Sequence, residues 1–518
     1  MNRRIFQTVA AVTLLMGCLP LRATGLDQIG VTLLRAMTTN VDGSGMRVAQ
    51  PEAQEYGTTN WEVNPVTSRV QQPVSRFTFT SDLGTATNFP NALCSESGHA
   101  GNVAEHFYGL TNGVATNVAH IDNYDADFFI NHYIVNLLPM PDAVVNQSFT
   151  WGAVSVGFQQ LVDSDYDNFA AAYGTLFVSA ACNASINPQV SPPGTAYNSI
   201  SVGAYGGDSS TGPTQDNGRC KPDLTAPGDE TSYSTPQVAG AATLLLQAAL
   251  RGDGGNTNDA SDLRVIKALL LNGAVKPADW TNANSSPLDA RYGAGVLNIF
   301  NSYKQLAGGE QTFCATNLIS LGATHLPFTT TNTIFANNGW DAEIISSSAT
   351  NDAVNHYFFN FSNGIATVTL VWNRQFGATN TNDLNLFLYN AANSNLVACS
   401  TSRVDNVEHI FATHLAAGRY DLQVVKSGGT NVVSDAEIYA VAWAFVSPAL
   451  QIAKAGTNAT VSWPAYPAGF LVEAATNLTA PTWTTNALPP NIFTNSRNNL
   501  TVNATNATRF FRLRQPNF

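Results

Sequence analysis

The sequence predicts an α/β domain built on a parallel sheet, then an antiparallel β-sandwich, then a small C-terminal β module. Three observations carry this. Between about Leu26 and Gly308, short runs that are apolar on both faces alternate with helical stretches, as parallel strands covered by helices do. From Cys314 to about Phe445 the pattern changes to short alternating strands separated by turn-rich pieces. From about Pro448 to Phe518 the same style repeats on a smaller scale. A chain of 518 residues is too long for one core. The expected divisions are 1–23, 26–308, 314–446 and 448–518.

The first division reads as an export signal. Met1-Asn2-Arg3-Arg4 is a charged start, and the apolar run Val9–Leu19 is too short to span a bilayer. Cleavage near Ala23 is expected, which makes the mature chain secreted or cell-surface. Leu15-Met16-Gly17-Cys18 offers an alternative, a lipid anchor on Cys18. No later run of eighteen apolar residues follows, so no transmembrane span is expected. Hydrophobic residues make up 44% of the chain, enough for folded cores. The net charge is −12 with no basic cluster, which argues against nucleic acid or an anionic membrane as partner. Export permits disulfides. Cys182 with Cys220 and Cys314 with Cys399 are possible pairs, which spacing cannot settle. No Cys/His cluster suggests zinc.

Within 26–308, strands are expected at Ala143–Ser148 and Thr175–Ala181 and helices at Tyr166–Tyr173 and Ser234–Leu250. The last helix is apolar nearly all round, so it should be buried. At its start stands Thr231-Ser232-Tyr233-Ser234-Thr235-Pro236-Gln237-Val238-Ala239-Gly240. A helix N-terminus offers free N–H groups and a positive dipole end to an oxyanion formed beside Ser232. Pro236 is expected in the first turn, where its missing N–H does no harm. By itself the stretch reads equally well as an N-cap serine on a core helix.

The stretch resembles the subtilase (subtilisin-like) signature Gly-Thr-Ser-x-[Ala/Ser]-x-Pro-x-Val-Ala-Gly. Lys221-Pro222-Asp223-Leu224-Thr225-Ala226-Pro227-Gly228 resembles the family's Lys-Pro-Asp-x-x-Ala-Pro-Gly, and Tyr292–Asn298 resembles its closing Gly-x-Gly segment. Ser97-Gly98-His99-Ala100-Gly101-Asn102-Val103-Ala104 is similar to the family's His-Gly-Thr-His-Val-Ala-Gly. Leu176–Asn183 is similar to its strand ending Ala-Ala-Gly-Asn, and Gly45–Glu52 to its strand Gly-x-x-Val-Ala-Val-x-Asp. Val144-Val145-Asn146-Gln147-Ser148-Phe149 resembles Val-Ile-Asn-x-Ser-x-Gly. These landmarks occur in the family's order, acid then His then Ser.

The resemblance implies a subtilisin-like parallel-sheet domain and a serine endopeptidase acting on proteins or peptides. Ser232 is then the nucleophile, and His99 the base it needs at neutral pH, with His106 as fallback. Glu52 orients the imidazole where the family has Asp, with Asp42 as runner-up. Asn183 donates its amide to the oxyanion, a contribution of about 3–4 kcal/mol in subtilisin itself. Ser148 and Phe149 end the strand that pairs with extended peptide substrate. No cofactor is required. Val371-Trp372, Asn382–Leu386, Asp405–His409 and Ala417–Tyr420 resemble the sandwich that follows the catalytic domain in some bacterial subtilases. Such sandwiches often bind structural calcium, with Asp383 one candidate ligand.

Four departures cluster around Ser232. Glu230 stands two residues before it where the family has Gly, only Asp229, Glu230 and Thr231 separate Gly228 from Ser232, Cys182 replaces a Gly, and Glu52 an Asp. They predict reduced activity or unusual specificity. They also keep a second function class open: an impaired subtilase-like protein acting as an extracellular binding or adhesion module. A Gly-x-Ser-x-Gly esterase elbow is disfavoured, because Ser232 lacks that context.

Overall fold

The computed structural model describes residues 25–328, 333–479, 481–485, 497–504 and 508–514; the expected signal at 1–23 and the Cys18 anchor lie outside them. Its first part is built on an eight-stranded sheet. In chain order the strands are β1 (Arg47–Glu52), β2 (Phe77–Ser81), β3 (Gly84–Ala86), β4 (His120–Asp125), β5 (Val144–Gln147), β6 (Leu176–Ala180), β7 (Ile200–Tyr205) and β8 (Leu224–Pro227). Across the sheet the order is β3-β2-β4-β1-β5-β6-β7-β8. All pairings are parallel except that of β3 with β2 at the edge. Strands buried on both faces need apolar residues on both, and the sequence supplies them. Val48, Val144 and Val178 join the core on one face, while Ala49, Val145 and Phe177 join the core on the other.

Helices α1 (Val31–Met37), α2 (Gly98–Phe107), α3 (Val156–Tyr173), α4 (Thr231–Leu250), α5 (Leu263–Gly273) and α6 (Ile299–Leu306) surround this sheet. Helix α4 packs on β5 to β8 and on α2, and is buried from Ser234 to Ala249. Helix α3 begins ten residues earlier than the sequence suggests. Ser155 caps it by accepting from the Phe158 N–H at 3.3 Å. Its first turns expose Phe158 and Leu161, so they lack the apolar periodicity that marks a helix.

Helix α4 also starts earlier than expected, at Thr231, which puts Pro236 inside the helix rather than in its first turn. Proline cannot donate to the carbonyl four residues back, here that of Ser232. The Ser148 hydroxyl donates to that carbonyl instead, at 3.0 Å. The kink-prone position therefore ties the start of α4 to the end of β5.

Two antiparallel sheets follow and form the sandwich. Their strands are β9 (Ala315–Ser320), β10 (Asn338–Ser346), β11 (Asn351–Phe361), β12 (Gly364–Trp372), β13 (Leu384–Asn390), β14 (Asn395–Ser400), β15 (Val407–Leu415), β16 (Gly418–Lys426) and β17 (Ala436–Val446). One sheet has the order β10-β17-β12-β15, the other β14-β13-β16-β11-β9. Leu370, Trp372, Val441 and Trp443 face the core between the sheets, with Leu386, Tyr357 and Leu422 opposite. The alternate residues Val371, Ala440 and Ala442 point the other way and join the core of the α/β part. Helix α5 lies against β10, β12 and β17. The first sheet is thus covered on both faces, which is why β12 and β17 read as nearly unbroken apolar runs.

The last strands are β18 (Gln451–Ala455), β19 (Asn458–Pro464), β20 (Leu471–Ala475), β21 (Thr484–Thr485), β22 (Arg497–Asn503) and β23 (Phe510–Arg514), in two three-stranded sheets. Val461, Trp463, Val472 and Leu500 form their small core. The suggested disulfides do not form: Cys182, Cys220 and Cys399 are all free thiols. Among the described residues no helix is long and apolar enough to cross a membrane.

Candidate active site

In the sheet order, β1 lies between β4 and β5: β2 to β4 fall on one side of it, with β4 inserted next to β1, and β5 to β8 then extend on the other. Open α/β sheets form a crevice beyond the carboxyl ends of the strands at such a reversal. Here it is a cleft of about 1230 Å³, lined by His99, Ser148, Phe149, Asn183 and Ser232 among others.

Glu52 is the last residue of β1 and is buried. Its Oε2 lies 2.9 Å from His99 Nδ1. Its Oε1 accepts from Gln50 Nε2 at 2.8 Å. Gln50 is fixed in turn, donating to the Ala100 carbonyl at 3.0 Å and accepting from the Tyr108 hydroxyl at 2.6 Å. The carboxylate is thereby aimed at the imidazole. His99 sits in the first turn of α2, whose cap Ser97 accepts from the Ala100 N–H. Burial pushes the imidazole pKa down, but Glu52 and the nearby carboxylates of Glu230 and Glu55 outweigh it, and the net shift is upward.

Ser232 stands in the first turn of α4, where the helix has no carbonyl to offer its N–H. Its Oγ donates to the Ser148 carbonyl at 3.3 Å, reciprocating the Ser148 bond to the Ser232 carbonyl. No hydrogen bond joins Ser232 Oγ to His99 among the described residues.

Asn183 follows β6. Its Oδ1 accepts from the Thr231 N–H at 3.1 Å and the Thr231 hydroxyl at 2.8 Å. The carbonyl end of the amide is thereby held, and the residue lines the cleft. Cys182 before it takes φ +92°, the region glycine favours. A side chain there costs about 1–3 kcal/mol, yet the backbone follows the glycine-like course. Glu230 caps α4 with an extended backbone, and its side chain makes no capping bond. The short stretch before it is possible because Gly228 approaches the helix closely. A Cβ there would lie 2.5 Å from Ser234 Oγ.

The alternative residues are placed elsewhere. His106 lies beside Tyr233, ring centroids 6.0 Å apart and tilted by 47°, and lines a separate groove with Asp229 and Gln237. Asp42 accepts from the Ser44 hydroxyl and N–H in a local turn. Both oxygens of Asp383 accept hydrogen bonds, from Asn385 at 3.0 Å and Ser427 at 3.1 Å. Among the described residues no group of three or more His, Cys, Asp or Glu is arranged to hold a metal ion.

Sequence reading passed over Gln50, Tyr108, Glu55 and Tyr233. Gln50 was within reach of it, since residues two apart share a strand face. Tyr233, next to Ser232, sets its ring 6.3 Å from that of His99. Tyr108 reaches Gln50 from far along the chain, which no local pattern signals.

Residues 125–295 match the Subtilase family. A protease from Pseudoalteromonas arctica PAMC 21717 is similar to this chain in structure, with 19% identity and a TM-score of 0.34 over 54% of this chain and 95% of that one. The CspB protease of Clostridium perfringens is similar at 15% identity and a TM-score of 0.40, over 54% of this chain and 98% of that one. No curated protein matches the chain.

Proposed function

From a chain that carries a Subtilase-family segment at 125–295, we propose a secreted serine endopeptidase that cleaves peptide bonds through an acyl-enzyme on Ser232. The observation that carries this reading is the buried Glu52 held 2.9 Å from His99 in the cleft that Ser232 also lines. A carboxylate, an imidazole and a hydroxyl in one crevice are the parts of a charge-stabilised acyl transfer.

In this mechanism the Ser232 hydroxyl leaves the Ser148 carbonyl and gives its proton to His99 as Oγ attacks the substrate carbonyl. Glu52 fixes the imidazole and stabilises its charged form. The Asn183 amide and the Ser232 N–H hold the oxyanion. His99 then protonates the leaving amine, and water releases the acyl group. Export rests on the N-terminal sequence, where Cys18 offers a lipid anchor as the variant of simple secretion.

One observation favours the second reading, an impaired protein that binds through its β regions. Ser232 Oγ is engaged with Ser148 rather than His99. Covalent labelling by a fluorophosphonate probe decides between the two. Labelling of the folded protein that disappears in Ser232→Ala is expected; no labelling of the folded wild type would leave the binding reading.

A further inference from the structure

The loop from Asn183 to Ser199 has two sides. Asn183 and Ile186 line the cleft. The far side, Thr195 to Ser199, is held inside the protein by buried charge. On α3, Asp163 Oδ1 accepts from the Thr195 hydroxyl at 2.5 Å. Asp167 accepts from the Tyr197 N–H at 3.3 Å and the Asn198 N–H at 2.7 Å. Both carboxylates have a side-chain exposure of only 1%. Arg219 pairs with Asp163 at 2.9 Å and with Asp216 at 2.7 Å.

The ion-pair partner of Asp167 comes from the sandwich. Arg374, in the loop after β12, lies 2.8 Å from Asp167 and is itself only 7% exposed. Its main chain is locked to the same loop. The Arg374 N–H donates to Asn198 Oδ1 at 2.8 Å, and Asn198 Nδ2 donates to the Arg374 carbonyl at 2.9 Å. The Tyr197 ring sits beside both guanidinium groups, 3.9 Å from Arg219 and 4.9 Å from Arg374. Asn406, also from the sandwich, donates to the Tyr197 carbonyl at 2.9 Å.

We propose that Arg374 is a positioning residue for the cleft: from the sandwich, through Asp167, it fixes the loop that carries Asn183. The charge count favours this. Around this loop Asp163, Asp167, Asp216 and Asp223 are balanced by Arg219, Arg374, Lys221 and Lys267, and without Arg374 four carboxylates face three cations, with Asp167 losing its direct ion-pair partner. A buried carboxylate deprived of its partner pulls in water or a proton, and the N–H groups it held lose their anchor. The Tyr197–Asn198 end of the loop then loses its carboxylate anchor, although Lys221 and Lys267 still hold the Ala196, Tyr197 and Ser199 carbonyls, and Asn183 at the near end is held less firmly against the cleft. Geometry errors of about 1 Å suffice to cost a reaction about 100-fold.

The reaction part of this proposal rests on the peptidase reading, but the loop part does not, so two measurements are made on the full chain. Backbone hydrogen exchange in Arg374→Met is expected to rise at residues 183–199 while β1, β5 and α4 keep their protection. Wild-type protection at 183–199, or a uniform rise across the sheet, would overturn the proposal. The fluorophosphonate labelling rate of Ser232 is expected to fall at least tenfold in Arg374→Met. The pair Asp167→Asn with Arg374→Met removes the stranded charge, and its rate is expected to return to within about threefold of wild type. A double variant as slow as the single one would refute the electrostatic route through Asp167. If wild type does not label at all, the peptidase reading fails while the exchange result still decides the loop.

Discussion

His99 is under two opposing pulls. Its burial favours the neutral ring, while Glu52, Glu230 and Glu55 favour the charged one and prevail over its usual pKa of 6.5. In the proposed mechanism the base must be neutral to accept the Ser232 proton, so kcat/KM for a peptide should rise with pH through a midpoint above 6.5. Glu230→Gln and Glu55→Gln each remove a charge that holds the proton on, and each should move that midpoint down. Unmoved midpoints in both variants would mean that these carboxylates do not act on His99. Glu230 also stands at the start of α4, where a developing oxyanion would feel it, so Glu230→Gln should label faster at neutral pH. At this scale the placement of much of the candidate site was legible. Ser232, His99 and Asn183 each stand in a short motif whose spacing survives substitution of its neighbours. Glu52 was legible by its place at the end of a strand. Gln50 and Tyr108 were not, because their hydrogen bonds join segments that only folding brings together.

Helix α4 shows what the run of small residues accomplishes. Gly240 lies against Val114 so closely that an added Cβ would stand 2.5 Å from the Val114 Cβ. Alanine in place of glycine normally strengthens a helix by about 1 kcal/mol. Here the forced displacement of α4 from its neighbour should outweigh that gain, with a net loss of about 1–2 kcal/mol for Gly240→Ala. Chemical denaturation checks it, and a stabilised variant would show that the segment around Val114 yields freely. The position of this helix was legible from its apolar content, and its true start was not. Thr231 and Ser232 carry no apolar signal, and the bond from Ser148 that relieves Pro236 is made by a residue far away in sequence. Similarly, the start of α3 was hidden because its first turns face solvent.

Across the molecule, the seam between the α/β part and the sandwich holds a lysine with no carboxylate partner among the described residues. Lys276 is buried, donates to the Ala274 carbonyl at 3.3 Å and lies over the rings of Trp280 and Phe411. Burial pushes its pKa down from 10.5 to about 7. Between these two values the unfolded chain binds the proton and the folded one does not, so this group makes stability rise with pH from about 7 to 10.5. Below that window the charged form is carried into the fold at full cost. His409, depressed by burial and by Lys276, adds to the penalty in acid. Lys276→Met should therefore raise the urea midpoint at pH 7 and shrink the difference between pH 7 and pH 9.5. A lower midpoint at both would indicate that the ammonium is well satisfied where it stands. The alternation of parallel and antiparallel patterns made the two-part architecture legible. The seam was not, since a strand facing a second sheet and one facing a helix look alike in sequence.

The doubly covered sheet has one more implication, for anyone cutting the chain. Severed near Cys314, the α/β part would keep α5 but lose Val371, Ala440 and Ala442 from its core, leaving an open oily face. Such a fragment would tend to clump, and its failure in an assay would say nothing about Ser232. The sandwich is less an appendage than the other half of a mould, and the candidate cleft should be studied with both halves in place.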